Sequence, residues 1–284
     1  MLTDADTVTL DRDVLQYIAE VLKETDQDRE RALREIRAWL KEEGSWLNAR
    51  GESKFILPFL RGCKFDVDKT KKKLTNYYVM RRDRPEWFRN RNPRLQHIQD
   101  LIKMGVFLPL KRHHDNKLVV IVRIAAHDPK KYDWNDIFKV GKMILDVVCM
   151  EDQRAQIYGV IAIFDLSGLS FGHYRTITPS LMKNAVYAWQ NYHIRPKNLE
   201  FVSSPIYINV AINLIKSFMT EKMKQRIKVH FGGTEKAQDI VDKDILPVEF
   251  GGENETVEEL GEYWLEKLLR YEQWFAEDES YVAE

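Results

Sequence analysis

The chain has 284 residues, 44% of them hydrophobic, and its 44 lysines and arginines are matched by 44 aspartates and glutamates. Such a length and apolar content suit one large domain, or a small helical domain followed by a larger one. Zero formal net charge excludes indiscriminate attraction to nucleic acid or to anionic membranes, so any basic function has to be local.

Cys63 and Cys149 are the only cysteines. Two so far apart make neither a disulfide framework nor a CxxC metal site, and they read as buried free thiols in a reducing compartment. The opening MLTDADTVTLDRD is polar and acidic, without the basic and apolar regions of a signal peptide. No stretch reaches the roughly 20 apolar residues that span a bilayer. The expectation is a soluble cytosolic protein, most simply a monomer.

In chain order, residues 8–43 read as two helices. Val14, Ile18, Val21 and Leu22 recur at helical spacing, as do Ala32, Leu33, Ile36, Trp39 and Leu40 before Gly44. A short buried helix follows over 55–62. Asp66 or Asp68 caps the next, whose inner face is Val67, Leu74, Tyr77, Tyr78 and Met80, with the basic residues, Arg81 among them, placed mostly outward. A basic helix carrying tyrosines can read nucleic acid, but its acidic neighbours cancel the field, and no nucleic-acid partner is expected.

The texture changes after Pro93. Apolar runs at 118–124 and 160–164 read as strands, the second as a central strand covered on both faces because it lacks polar alternation. Residues 134–152 read as a helix between them. Thr178 and Pro179 fit the N-cap and first position of a helix running to Trp189. Residues 198–202 and 226–231 give two more strands, and 256–276 a closing amphipathic helix. The alternation predicts an α/β fold with a mainly parallel sheet, residues 93–284, behind an all-helical segment, residues 1–92.

One stretch is anomalous. Residues 206–219 are too apolar for a surface helix and too short to cross a membrane. Basic residues Lys222, Lys224, Arg226 and Lys228 follow in quick succession. Residues 205–219 therefore read as a lid over a lipid pocket with a basic hinge beside it. Pro205 suits its start, having no amide hydrogen to satisfy.

Two chemical motifs compete with that reading. Gly168, Ser170 and Gly172 spell G-x-S-x-G after a strand, as a serine hydrolase elbow does. The strand already ends at Asp165, however, and no oxyanion loop precedes it, so no catalytic residue is assigned. His113 with His114, and His127 with Asp128, invite a metal, but the adjacent pair sits on an expected loop and a third ligand is not evident. No metal or cofactor is called for. A ligand-free adaptor is the remaining alternative.

From Phe59 onward the chain resembles the CRAL-TRIO lipid-transfer family, in the branch of the tocopherol and retinaldehyde carriers. Four blocks carry the resemblance: FLRGCKFD at 59–66 with Tyr77, Tyr78 and Pro85; IAAHDP at 124–129; FDLSG at 164–168 with ITP at 177–179; and Pro205, FMTEK at 218–222, Arg226, Ile227 and LPVEFGG at 246–252. The resemblance implies a helical N-terminal bundle and a sheet that encloses a lipid beneath a mobile lid helix. It implies a small hydrophobic partner, tocopherol-, retinoid- or otherwise terpenoid-like, and a membrane surface bearing phosphoinositides, met transiently and peripherally. By position, the phosphoinositide residues would be Arg61, Arg195, Lys197, Lys222 and Arg226, with Lys222 and Arg226 the better matched. His193 departs from the family, which often has proline there, so the loop before Arg195 is expected to differ. Within the same frame the ligand-lining candidates are Phe138, Leu145, Val160, Phe164, Trp189, Ile208, Ile212, Ile215 and Met219. Tyr158, Ser167, Tyr187 and Ser204 are open candidates for a polar ligand head.

Overall fold

The computed structural model describes residues 12–284; the acidic opening and residues 8–11 of the first expected helix lie outside them. Helix α1 (Arg12–Tyr17) runs on into a π turn (Ile18–Leu22). Helix α2 (Asp26–Lys41) starts where Thr25 Oγ1 accepts the amide of Asp28 at 3.0 Å. Helices α3 (Ser53–Gly62) and α4 (Val67–Asp83) follow, and Asp66 caps α4 by accepting the Lys69 amide at 3.0 Å. Short α5 (Pro85–Phe88) and α6 (Gln96–Lys103) lead into the sheet. Ile36, Phe59, Leu74, Tyr77, Tyr78 and Trp87 share one buried cluster with Tyr192 from the C-terminal part of the chain, so the helical segment is docked through its own core. Arg81, expected on the outside of α4, is instead buried and paired with Asp278 at 2.7 Å.

The sheet has five strands in sequence order: β1 (Phe107–His114), β2 (Lys117–Arg123), β3 (Val160–Asp165), β4 (Pro196–Val202) and β5 (Ile227–Val229). β1 is antiparallel to β2, and every other pairing is parallel. Helices α7 (Trp134–Glu151) and α8 (Gln153–Tyr158) connect β2 to β3. Helices α9 (Phe171–Thr176) and α10 (Pro179–Asn191) connect β3 to β4, and α11 (Ile208–Ser217) with α12 (Glu221–Lys224) connects β4 to β5. The closing segment expected as one helix over 256–276 is two, α13 (Val257–Leu269) and α14 (Glu272–Asp278), broken at Arg270–Tyr271. α13 opens on a reciprocal cap, Thr256 N donating to Glu259 Oε2 at 2.8 Å and Glu259 N to Thr256 Oγ1 at 3.1 Å.

Successive residues of a strand point to opposite faces, and β3 shows what each face is for. Ile161 and Ile163 join the core with α6, α7 and α13, while Phe164 and partly buried Ala162 join a second cluster with Phe201, Val186 and Ile212. β1 was not foreseen, and its end carries His113 and His114, expected on a loop. His113 Nε2 instead lies 2.8 Å from Asp152 and His114 Nδ1 2.9 Å from Asp242.

Candidate functional site

The second face of the sheet is covered by α10 and α11, and between them lies a cavity of about 200 Å³. Phe164 and Phe201 form its floor, their rings stacked 4.7 Å apart at paired register positions of β3 and β4. Trp189 of α10 leans on Phe164 at 5.2 Å. Leu181, Met182, Ala185 and Val186 complete the α10 wall, and Trp134 and Phe138 of α7 close one side, Phe138 backed by Trp87 at 4.6 Å. Ile208, Ala211, Ile212 and Ile215 of α11 form the roof. Leu166, Leu169, Tyr174 and Ile177 line the end toward α9.

The roof helix is shorter than the stretch that suggested it, with turns on either side of Ile208–Ser217. The chain reaches it from β4 through Ser203, whose φ of 55 places a non-glycine residue in the left-handed region and turns the backbone sharply. The roof's outer side is mixed: Val210 is 78% exposed among exposed Asn209, Asn213 and Ser217, and in the turn that enters the helix Ile206 is 89% exposed and Tyr207 61%. Phe171 on neighbouring α9 is 77% exposed.

Of the nine lining candidates, Phe138, Phe164, Trp189, Ile208, Ile212 and Ile215 border the cavity. Leu145, Val160 and Met219 do not. Leu145 lies two turns beyond Phe138 and packs where the sheet core meets the N-terminal helices. Val160 belongs to the opposite core, at the point where the β3–β4 register slips. Met219 is buried beside the roof without facing the cavity. None of the four polar candidates lines it either. Tyr158 packs on Tyr17 at 4.3 Å, Ser167 Oγ donates to Asp165 Oδ2 at 2.8 Å, Tyr187 is exposed, and Ser204 Oγ donates to the Phe201 carbonyl at 3.2 Å. Sequence reasoning missed most of the α10 wall, although Leu181, Ala185 and Trp189 recur at helical spacing.

A second feature lies at the opposite end of β3 and β4. Arg195, Lys197 and Arg226 converge there, joined by Lys73 from α4. Burial, followed by repulsion from Arg195, Arg226, Lys64 and Lys117, lowers the Lys197 pKa to about 8. Burial likewise lowers Lys73, Arg195 and Arg226, with Arg195 and Arg226 adding to the effect on Lys73. Arg195 and Arg226 donate to the carbonyls of Ile157 and Pro196, which fixes their side chains without neutralising them. Gly159 makes room for the group: at φ +90, a Cβ there would stand 2.5 Å from the Arg195 carbonyl and 3.0 Å from Lys197 Cγ. Arg61 does not join them as a free cation. It is buried, bonded twice to Glu24 at 2.9 and 3.0 Å and once to Gln156 at 2.7 Å. Lys222 stands exposed on α12.

The G-x-S-x-G segment reads as a helix start. Ser170 has ordinary extended dihedrals, φ −100 and ψ 167, and N-caps α9. An elbow serine would sit on a strained turn directly between strand and helix, whereas four residues separate β3 from Ser170 here. His173 Nε2 donates to the His127 carbonyl at 3.0 Å, leaving Nδ1 to accept the Ser170 hydroxyl at 2.8 Å and, as one half of a capping box, the Ser170 amide at 3.2 Å. Among the described residues no helix is long and apolar enough to cross a membrane.

The comparisons with known proteins agree with this architecture. A family model described as CRAL/TRIO domain matches residues 102–252, and one described as Pinta-like, UBA domain matches residues 25–98. Clavesin-1 of Xenopus laevis is 30% identical over 205 residues, which cover 72% of this chain but only 61% of Clavesin-1. Alpha-tocopherol transfer protein-like of Mus musculus is 27% identical over 86% of this chain and 71% of its own length. The crystal structure of Sfh5 superposes with a TM-score of 0.50 at 13% identity, covering 86% of this chain and 98% of that one, a likeness of fold. With the family model matching residues 102–252 and a relative 30% identical over 72% of this chain, the chain belongs to the CRAL/TRIO family.

Proposed function

We propose that this chain is a non-enzymatic carrier that holds one small hydrophobic molecule beneath α11 and moves it between membranes, using the basic cluster to meet phosphoinositide head groups. The observation that carries the proposal is a roof helix whose inner side is apolar and whose entry turn exposes large apolar side chains. Its inner side closes a cavity walled by aromatic, aliphatic and methionine side chains, a lining that suits a fused-ring or polyene lipid. A void of about 200 Å³, left unfilled, would cost about 5 kcal/mol. Ile206, in the turn that enters the roof, and Val210, on the roof's outer side, are offered to an apolar phase, as side chains of an interfacial segment are. The mutual repulsion of Arg195, Lys197 and Lys73 is relieved by an anion of several charges, and two guanidinium forks with two lysines match a polyphosphorylated head group. Head-group binding then favours an open roof by differential affinity for the two states. A relative named for tocopherol transfer supports a terpenoid-like cargo.

One set of measurements tests both halves. Native mass spectrometry and lipid extraction of the purified chain give one bound lipophile per chain. Ile212→Asp puts a carboxylate into the cavity and abolishes retention. Lys197→Ala with Arg226→Ala retains the lipid in solution but slows its transfer to phosphoinositide vesicles at least tenfold. A chain that carries no lipophile, or an Ile212→Asp variant that retains it, refutes carriage. Equal transfer rates for parent and double variant refute the head-group role alone.

A further inference from the structure

The cavity lining holds one polar atom that is both buried and without a hydrogen-bond partner among the described residues, the hydroxyl oxygen of Tyr174. Trp134, which also lines the cavity, already donates its Nε1 to Thr176 Oγ1 at 2.9 Å. Leaving a buried hydroxyl unpartnered costs about 1–3 kcal/mol. That cost is removed when a ligand brings an oxygen to it. Tyr174 stands on α9 at the end of the cavity where the chain enters the roof. The Tyr207 ring lies 5.9 Å away, centroid to centroid, at the N-cap of α11.

We infer that Tyr174 orients the cargo by donating its hydroxyl to a single terminal oxygen of a neutral lipophile, an alcohol, phenol, aldehyde or ketone. The inference rests on the carrier reading. Burial, and after it the hydroxyl of Tyr207, which stands close by but falls short of hydrogen-bond geometry, push the Tyr174 pKa up to about 12, so the group remains a neutral donor at any physiological pH. No cation among the described residues lines the cavity, so a carboxylate head would be a buried charge without a counter-ion, which is far more costly than an unpaired hydroxyl. A hydrocarbon of the same shape leaves Tyr174 unpartnered. Tyr174 is therefore a specificity residue: it penalises cargo lacking an oxygen, and the cation-free wall penalises cargo carrying a charge.

The probes are geranylgeraniol, its aldehyde, its carboxylic acid and the same skeleton ending in a methyl group. Binding is read from the fluorescence of Trp134 and Trp189, both in the cavity wall. The parent is expected to bind the alcohol and aldehyde at least tenfold more tightly than the hydrocarbon or the acid, and tenfold corresponds to about 1.4 kcal/mol. In Tyr174→Phe the alcohol and aldehyde lose that advantage while the hydrocarbon binds as tightly as before or better. Tyr207→Phe keeps the preference. A preference that survives Tyr174→Phe, that vanishes in Tyr207→Phe, or that the parent never shows overturns the inference and leaves the carrier reading standing. A parent that binds none of the four and yields no lipophile on extraction overturns both.

Discussion

His193 is held where a proton is costly. It lies buried against Phe59 at 5.0 Å and Tyr192 at 4.5 Å, with Phe55 and Tyr77 within 6 Å. Burial, then the positive charge of Lys73, push its pKa down to about 3; Asp278 pulls the other way, and Lys142 and Arg81 add smaller pushes. Below the ordinary histidine value of about 6.5, the unfolded chain therefore takes up a proton that the folded chain refuses. The stability this neutral histidine permits is complete above that value and is lost as pH falls toward 3. At pH 5 the loss is on the order of 2 kcal/mol. His193→Phe preserves the ring packing and removes the proton site, so the difference in urea-derived stability between pH 7 and pH 5 should shrink by about that amount relative to the parent. His127, lowered to about 4 chiefly by burial, and Asp146, raised to about 6 by burial, titrate in both chains and cancel from the comparison. Identical pH slopes in the two chains would show that His193 charges in the folded state. The departure from proline at this position thus supplies a ring to the docking core, which the sequence alone had left as a question about a loop.

At the scale of elements, the roof was legible because its composition makes a demand: residues 206–219 must bury apolar surface somewhere. Its ends were not, because the turns at Pro205 and Thr220 depend on tertiary contacts such as Thr220 N donating to Gln190 Oε1 at 3.0 Å. β1 escaped notice because Pro109 and the polar run 111–114 read as a loop, yet an edge strand tolerates both. Arg61 and Arg81 were placed as outward or ligand-reading cations because their partners, Glu24 and Asp278, are remote in sequence. Local pattern reports which face a residue takes, and a long-range charge partner can reverse that. The exposed side of the roof carries its own prediction. Ile206→Ser with Val210→Ser removes apolar surface that only a membrane interior would bury, at about 25 cal/mol per Å². Co-sedimentation with uncharged phosphatidylcholine vesicles should fall at least tenfold while the extracted lipid content stays at the parent value. Unchanged sedimentation would mean that the entry turn and outer side of the roof do not enter the bilayer.

The whole molecule is joined by one carboxylate. Asp278 on α14 accepts from Arg50 Nε at 2.6 Å, Arg81 at 2.7 Å and Arg91 at 2.6 Å, and Arg91 passes on to Asp146 of α7 at 2.8 Å. These three arginines come from the loop after α2, from α4 and from the segment after α5. A single side chain near the C-terminus therefore fixes the N-terminal helices against one another and, through Asp146 and its partner Tyr192, against the sheet. Burial by itself would raise the Asp278 pKa; Arg81 and Arg91 outweigh it and hold the carboxyl below the usual range. Removing one member of such a group strands the others as buried charges, which costs about 3–5 kcal/mol, against a total stability of about 5–15 kcal/mol for a domain. Asp278→Ala should therefore lower the urea-derived stability by several kcal/mol, with Asp278→Asn falling between it and the parent because one oxygen acceptor survives. Hydrogen exchange should report where the loss falls: amides of α3 and α4 lose protection first, while those of β3, whose core neighbours do not include the network, keep theirs until global unfolding. A small loss spread evenly over α4 and β3 would mean that the aromatic docking core, and not this carboxylate, holds the two parts of the chain together.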